Sequence, residues 1–264
     1  MKGKKGLVWT LAKNDFKTRY AGSYLGIVWA LVQPLVTVAL YYFVFELVFD
    51  TRSQRLAEGI DVQYVLWLTA GLVPWFYFSE GMMQGMQAFL QYSYLVKKVV
   101  FEIGLLPRVK LAACAFVHVF FMLVLVVMYF CYGYRPSLSI LQLPYYSLCL
   151  FCLLLGLSYI TASVVIFFRD LQQIVNILLQ IGMWATPILW DLSFLKGKWE
   201  GLRIVFKLNP LYYVVNGYRE SLFFGGWFWQ QGWINIYFWA VCALFYFLGR
   251  RIYKRLKPHF ADVL

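Results

Sequence analysis

Long apolar runs, interrupted by short basic stretches, dominate the hydrophobic pattern of this 264-residue chain. The runs lack the polar–apolar alternation of a membrane-barrel strand, and each has about 17 residues or more, enough for a helix that crosses a hydrocarbon layer of about 30 Å. The pattern predicts six spanning helices, at residues 27–49, 62–79, 109–132, 143–168, 171–190 and 231–249. The predicted fold class is therefore an all-α integral membrane protein with a single transmembrane domain.

A polar, basic arm leads directly into the first run, with the sequence NDFKTRYAGSYLGIVW at residues 14–29. A signal peptide also places basic residues before an apolar run, but an apolar run of about 23 residues is too long for a signal-peptide core. Lys13 and Lys17 share one face of the arm, and apolar residues recur at helical spacing on another: Trp9, Ala12, Phe16 and Tyr20. This pattern predicts an amphipathic helix over residues 7–22 that lies at the cytoplasmic membrane interface.

The segment between the fifth and sixth predicted spans, residues 190–229, is apolar in pieces that are too short to cross. Asn209 and Pro210 form a typical helix start, and Gly225 and Gly226 a typical helix end. The predicted helix has about fifteen residues, roughly half a membrane thickness. It is expected either to lie on the outer interface or to enter the membrane and return, since irregular backbone at membrane depth needs surrounding protein or a water-filled cavity.

Composition supports a membrane protein, because 62% of the residues are hydrophobic and only 14% are charged, against about a quarter in soluble proteins. The net charge of +12 would suggest nucleic acid in a soluble chain, but the sequence presents no basic face suited to reading it. Lysines and arginines concentrate on the cytoplasmic side of membrane proteins. On the predicted topology, 16 of the 24 lie on the side of both termini. The predicted organisation is a cytoplasmic interface helix (1–26), six spans (27–249) and a cytoplasmic tail (250–264).

Candidate chemistry inside the spans is sparse. Glu46 lies at the outer end of the first span and His118 within the third. Ion-coupled carriers usually need buried carboxylates, so ion coupling is not expected, and His118 is predicted to be a hydrogen-bonded packing residue. The sequence has no phosphate-cradling GxxxxGK[ST] loop and no evident nucleophile–base pair, so no catalytic residue is predicted. The five cysteines lie in apolar runs and are expected to pack rather than to bind a metal.

Aromatic residues make up 21% of the chain. Trp and Tyr gather at membrane interfaces, which explains most of them. Tyr41, Tyr42 and Trp184 fall inside predicted spans, where an interfacial belt does not need them. Aromatic faces along a passage would let sugar rings slide past without a deep binding minimum, and the residues predicted to line such a channel are Tyr41, Tyr42, Trp67, Trp75 and Trp184.

Four ordered segments follow the arm: YAGSYLGIVWALVQPL, LVKKVVFEIGLLPRVKL, FFRDLQQIVNILLQIGMWATPILW and LNPLYYVVNGYRESLF. Their order resembles the membrane subunit of type-2 ABC exporters, and more narrowly the branch that exports O-antigen, capsular polysaccharide or teichoic acid. The resemblance extends over nearly the whole chain. It implies a homodimer with two separate ATPase subunits in the bacterial inner membrane. It also implies six spans, an N-terminal interface helix and two short re-entrant helices before the last span. No cofactor is expected in this chain, since ATP and Mg²⁺ would bind the partner ATPase.

The resemblance also implies roles for residues of this chain, in two groups. The residues expected to couple to the ATPase are Phe16, Lys17, Tyr20, Lys97, Lys98, Glu102, Arg169 and Asp170. Relatives often have proline at the position of Glu102, so this chain departs from the pattern there. The residues expected to form an outer gate are Asn209, Pro210, Tyr212, Tyr213, Tyr218, Arg219 and Glu220.

The function predicted on this basis is the channel-forming subunit of an ATP-driven exporter of lipid-linked polysaccharide. Closure of the ATPases would pass through the arm and the coupling segment, and a channel between two copies would open to the glycan. One alternative is a type-2 ABC permease for a drug, lipid or other small molecule, which shares the topology. The other is a membrane-embedded glycosyltransferase, which would require clustered carboxylates or histidines at the interface.

Overall fold

The computed structural model describes residues 2–22, 24–49, 53–55, 61–96, 102–135 and 137–263. Helices make up most of the described chain, and in chain order they are α1 (Lys2–Arg19), α2 (Trp29–Tyr41), α3 (Tyr64–Met86), α4 (Ala88–Gln91), α5 (Ser93–Val96), α6 (Leu106–Cys131), α7 (Leu143–Val165), α8 (Leu171–Ala185), α9 (Leu202–Lys207), α10 (Pro210–Arg219), α11 (Trp233–Leu256) and α12 (Phe260–Val263). A small antiparallel hairpin, which the sequence did not predict, joins β1 (Ser53–Arg55) to β2 (Asp61–Gln63) between α2 and α3.

Among the described residues, four helical segments are long and apolar enough to cross a membrane: Gly26–Val48, Ile103–Cys131, Leu138–Val165 and Trp233–His259. They match the predicted first, third, fourth and sixth spans. The predicted second span, 62–79, begins two residues before the 23-residue helix α3 and otherwise lies within it. The predicted fifth span begins at the same residue as α8, which has only 15 residues. The α8 helix ends five residues before the predicted end, because Thr186 precedes a proline and adopts an extended conformation.

Helix α3 forms the centre of the bundle. It packs against α6 and α7 along most of its length and also touches α8 and α10. Most of its side chains are buried, including Trp67 and Trp75. Because other helices rather than lipid surround α3, it tolerates more aromatic and polar residues than a lipid-facing span. The surrounding core also contains the buried Cys114 and Cys149, in the packing role predicted for the cysteines.

A close approach of two helices fixes α7 against α11. A Cβ added at Gly156 of α7 would lie 2.8 Å from the backbone nitrogen of Tyr246, and one at Gly249 of α11 would lie 2.7 Å from the carbonyl oxygen of Gly156. Real Cβ atoms do not approach backbone this closely, so both positions require glycine. Small residues at helix crossings are typical of packing inside membranes, where close van der Waals contact drives association.

We expect Gly156→Ala to force α7 and α11 apart. Overpacking of this kind costs about 1–3 kcal/mol, or a fall of about 5 °C in the unfolding temperature of a domain this size. Thermal unfolding of the detergent-solubilised protein measures the effect. Gly201→Ala is the matched control, since a Cβ at Gly201 meets nothing and its backbone is helical. Equal unfolding temperatures for the two variants would contradict the crossing.

The N-terminal helix α1 packs along the start of α6. Ala12 is fully buried against Val109 and Ala113, while Trp9 and Phe16 contact Phe116 at ring-centroid distances of 5.1 and 5.6 Å. The prediction of a helix in the arm is confirmed, although the helix runs from Lys2 to Arg19 rather than over residues 7–22.

The first span packs loosely on the rest of the chain. Only 6% of its most apolar window is buried, whereas 56% of the corresponding window in Leu138–Val165 is buried. Its exposed side chains are large and apolar, for example Val36 and Leu40. The first span therefore offers most of its surface to lipid or to another protein.

Candidate functional site

A buried ion pair joins α1 to α6. The Nζ of Lys110 lies 2.5 Å from Oδ1 of Asp15, and the two residues are only 3% and 5% exposed. Lys110 also donates to the side-chain oxygen of Gln91 at 2.5 Å, and the Tyr92 hydroxyl donates to Asp15 at 2.8 Å. Each charge of the pair therefore has hydrogen-bonded neighbours, which is the condition for burying charges at tolerable cost.

A second ion pair joins the end of α1 to α3. Nη1 of Arg19 lies 2.8 Å from Glu80, and its Nη2 lies 3.4 Å from Asp15. The Glu80 side chain is about half exposed, so this pair is more accessible than the first. We refer to the four charged residues and their two polar neighbours as the inner polar cluster, and its members are Asp15, Arg19, Glu80, Gln91, Tyr92 and Lys110.

The inner polar cluster carries no net charge, since two carboxylates face two cations. Burial raises the pKa of the Tyr92 phenol above its ordinary value, and the hydrogen bond to Asp15 raises it further. Tyr92 therefore stays protonated and remains a donor to the carboxylate. Sequence reasoning counted Arg19 and Lys110 only as charges that set topology and did not single out Asp15 or Glu80. Their pairing spans 61 to 95 residues of sequence, and no local pattern indicates it.

The residues predicted to couple to the ATPase fall in different surroundings. Phe16 and Tyr20 are half-buried, with ring centroids 5.7 Å apart, and Lys17 is exposed. Lys97 and Lys98 lie outside the described residues. Glu102 is exposed just before the turn that begins α6. Arg169 and Asp170 are exposed in the turn between α7 and α8.

The predicted outer helix is α10, and its predicted ends are confirmed. The Asn209 side chain accepts from the backbone N–H of Leu211 at 3.0 Å, so it caps the helix, and Pro210 is its first residue. The helix continues through a wider, π-helical turn at Glu220–Phe224 and ends at Gly225, whose φ of 70° is left-handed. Asn209 also donates to the hydroxyl of Thr186 at 2.9 Å, which ties the start of α10 to the end of α8.

Arg219 joins α10 to two other elements. Its guanidinium donates to the carbonyl oxygens of Pro187 and Ile188, both at 2.7 Å, and its carbon lies 3.4 Å from the centre of the Trp67 ring on α3. The residue is only 4% exposed. Gly71 makes room for it, because a Cβ at that position would lie 2.9 Å from the guanidinium. The donor fork of arginine suits two adjacent carbonyls, and its flat face suits an indole.

Tyr218 joins α10 to the third and fourth spans. Its hydroxyl lies 2.6 Å from the Ser147 hydroxyl and 3.0 Å from Nε2 of His118, and the His118 ring stacks on Tyr77. His118 is thus the hydrogen-bonded packing residue that the sequence predicted. Tyr213 adds a contact between α10 and α11, since its ring stacks on that of Phe238 with 4.6 Å between the ring centroids.

The five aromatic residues predicted to line a channel do not form one surface in this chain. Trp67 is enclosed beneath Arg219, and the buried Trp75 faces α8 at Gly182. Tyr41 is half-buried and Tyr42 is exposed at the outer part of the first span. Trp184 on α8 is the most accessible of the five, with 65% of its surface exposed.

Cavities lie near both ends of this arrangement. The inner cavity has a volume of about 680 Å³, and residues that line it include Arg19, Gln33, Phe76, Glu80 and His118. The outer cavity has a volume of about 430 Å³, and it lies between α9, α10 and the start of α11. Both volumes fall in the range of small-molecule sites, about 300–1,000 Å³.

Comparison with known proteins gives one family and several relatives. The family model described as ABC-2 type transporter matches residues 6–223. The chain is 27% identical over 263 residues to an O-antigen export system permease protein RfbA of Klebsiella pneumoniae, covering 98% of this chain and 95% of the relative. It is 28% identical over 219 residues to RfbA of Myxococcus xanthus, covering 83% and 81%. It is 26% identical over 225 residues to the polysialic acid transport protein KpsM of Escherichia coli, with the same coverage.

Proposed function

The chain belongs to the ABC-2 type transporter family, and from that premise we propose that it is the membrane subunit of an exporter that moves a lipid-linked polysaccharide across the bacterial inner membrane. The observation that carries this proposal is similarity, over nearly the whole chain, to permeases named for O-antigen export and to a polysialic acid transport protein. These relatives favour the polysaccharide branch over a drug or lipid permease and over a membrane glycosyltransferase.

In the proposed topology α3 and α8 are the second and fifth spans, and both termini are cytoplasmic. The 23 residues of α3 extend over about 35 Å, enough to cross the hydrocarbon layer. Helices α9 and α10 would be the two re-entrant elements. The hydrogen bond from Tyr218 to His118, in the middle of α6, supports entry of α10 into the membrane rather than a position on its surface.

The proposed assembly is two copies of this chain with two ATP-binding subunits, which would carry ATP and Mg²⁺. The first span and α8 both offer apolar surfaces that this chain does not cover, and those of α8 are Ile174, Ile177, Leu178, Ile181 and Trp184. We place the passage for the glycan between the copies, along these two elements. Tyr42 and Trp184 would then face the passage, as a sliding surface for sugar rings.

Export in this proposal is driven from the cytoplasmic end through α3. ATP-dependent closure of the partner moves α1 and the Arg169–Asp170 turn, and the inner polar cluster passes the movement to α6 and α3. Glu80 and Trp67 lie 13 residues apart on α3, so the helix spans about 20 Å between the inner polar cluster and Arg219. These contacts must differ between the closed and open states, because only then can ATP binding shift the outer end from its closed to its open conformation.

Vectorial export tests the proposal. The chain and its ATPase partners are reconstituted in vesicles with the source cell's lipid-linked polymer, radiolabelled in its sugars, and added glycosidase reports which polymer remains outside. We expect ATP to render polymer resistant to the enzyme, and a non-hydrolysable analogue or an inactive ATPase to leave it sensitive. Polymer that stays sensitive with ATP, in a complex that hydrolyses ATP, would refute the proposal.

Charge reversal at the α7–α8 turn tests the coupling surface. We expect Arg169→Glu to reduce co-purification of the ATPase subunit about tenfold or more, because placing like charges together at an interface costs several kcal/mol. Quantitative pull-down in mild detergent measures the ratio of the two subunits. Arg135→Glu is the matched control, since Arg135 is equally exposed at the opposite end of the bundle. An unchanged ratio for Arg169→Glu would remove this turn from the coupling surface.

A further inference from the structure

The outer cavity, of about 430 Å³, is lined by several charged and polar side chains. Most of these side chains have no role in the export pathway described above. Its lining comes from α9, α10 and the first turn of α11, together with Trp67 of α3. The turn at Asp191–Ser193, just before α9, also contributes to its lining. The cavity is therefore formed by several elements of the chain, and it is not a groove along a single helix.

Two short helices direct regularly spaced side chains into this cavity. Arg203 and Lys207 are four residues apart on α9, and Tyr212, Asn216 and Glu220 follow at the same spacing along α10 and its last turn. Residues four apart share one face of a helix, so each helix presents a polar face to the cavity. The lining thus combines cations, a carboxylate, an amide and a phenol.

Some of these groups are already engaged within the protein. Asp191, a second carboxylate in the lining, accepts from the backbone N–H of Ser193 at 2.7 Å. Arg203 pairs with Glu200 at 3.1 Å and donates to the carbonyl oxygen of Leu192. By contrast, the Lys207 ammonium and the Tyr212 hydroxyl form no ion pair or hydrogen bond within the part of the chain that the structure describes. Two donors in the lining, one on α9 and one on α10, are therefore available to a ligand.

The chemistry of the lining selects among ligand classes. An apolar ligand would strip water from the charged groups without replacing its hydrogen bonds, which is costly. A phosphate would meet two carboxylates, Asp191 and Glu220, and like charges oppose binding. A ring with many hydroxyls both donates and accepts, so it can use carboxylates, amide and ammonium together, and its C–H face can lie on an aromatic ring.

We propose that the outer cavity is a saccharide-binding site that holds pyranose units of the polymer as they leave the passage. Lys207 and Tyr212 are its principal donors, and the Asp191 and Glu220 carboxylates accept from sugar hydroxyls. This inference rests on the proposed function for the source of its ligand, but its structural basis is the cavity alone. A site here would hold the emerging chain and oppose its return while the ATPases reset.

Calorimetric titration tests the site in the complete complex with its ATPase subunits, held in lipid nanodiscs. The probe is a set of short oligosaccharides released by mild acid from the source cell's own surface polysaccharide and separated from lipid. We expect Tyr212→Ala and Lys207→Ala each to weaken binding about tenfold, the effect of removing one hydrogen bond that involves a charge or a stacked ring. Lys196→Ala is the control, because Lys196 is exposed on the same loop but does not line the cavity.

Export by the same purified variants, reconstituted in vesicles for the assay described above, separates the site from the proposed function. Weaker binding in both variants, with Lys196→Ala unchanged, would support the site even if no variant or wild type exported polymer. Absent binding, or binding that the variants do not alter, in a complex that exports normally would overturn the site and leave the exporter intact. Tyr212→Phe and Lys207→Gln retain the side-chain shape, and they decide the outcome if either alanine variant unfolds.

Discussion

Arg219→Leu is expected to destabilise the protein by about 3 kcal/mol or more and to abolish export. The substitution removes the donors to the carbonyl oxygens of Pro187 and Ile188, and a buried acceptor left without a donor costs about 1–3 kcal/mol. Replacing a buried charge by an apolar side chain can be neutral when both partners are replaced. Here the partners are backbone carbonyls, which no substitution removes, so the loss remains.

Thermal unfolding and vesicle export together measure the Arg219 effect. Arg219→Lys keeps the charge but not the two-pronged geometry, so we expect it to recover little of either property. Arg135→Leu removes an exposed arginine from the outer end of the bundle and should change unfolding by less than about 0.5 kcal/mol. Wild-type stability and export in Arg219→Leu would show that the other contacts of α10 hold it without Arg219.

Asp15→Ala is expected to cost about 3–5 kcal/mol, because it leaves the Lys110 ammonium buried without a carboxylate. Lys110→Ala is expected to cost less, because Nη2 of Arg19 still lies 3.4 Å from Asp15. Both members are almost fully enclosed, so solvent cannot replace the missing charge. Changing both residues to alanine together closes the cycle, and it is expected to cost less than the sum of the two single changes. The difference should be about 1–3 kcal/mol, in the range of coupling between contacting residues. A second double variant, Asp15→Leu with Lys110→Met, replaces the ion pair by an apolar pair.

A double-mutant cycle on thermal stability measures this coupling, and polymer exported per ATP hydrolysed measures its role. If the inner polar cluster transmits movement, the apolar pair should restore stability more fully than it restores export per ATP. Glu80→Gln is the control within the cluster, and its effect should be smaller because the Glu80 side chain is about half exposed. Additive costs in the cycle would exclude a direct Asp15–Lys110 interaction as a source of stability.

These two predictions concern groups of residues that attach to opposite ends of α3, one through Glu80 and the other through Trp67. The Arg19–Glu80 pair binds the C-terminal part of α3 to α1, and the Trp67–Arg219 contact binds its N-terminal part to α10. Because α3 is the most enclosed helix of the bundle, displacement at one end cannot be absorbed by lipid and must be met by its neighbours. Loss of the attachment at either end of α3 should therefore uncouple ATP hydrolysis from opening of the outer end.

The sequence predicted the features that depend on local composition. Hydrophobic runs located the four helices of the described chain that are long and apolar enough to cross a membrane, because their length and apolar character are continuous along the sequence. Asn209, Pro210 and Gly225 correctly marked the ends of α10, since capping is decided by residues adjacent to the helix end. The end of α8 at Ala185 could also have been predicted, because Pro187 disfavours a helical backbone at Thr186.

The tertiary structure alone decided which polar groups meet. Asp15 and Lys110 are 95 residues apart, and Arg219 finds its carbonyl partners more than 30 residues away. Trp67, predicted to line a channel, lies beneath Arg219, and the outer cavity is assembled from the 191–193 turn and from α3, α9, α10 and α11. Hydrophobic periodicity records which side of a helix avoids water, but the partner of a buried charge depends on how helices distant in sequence pack, and that information appears only in the folded chain.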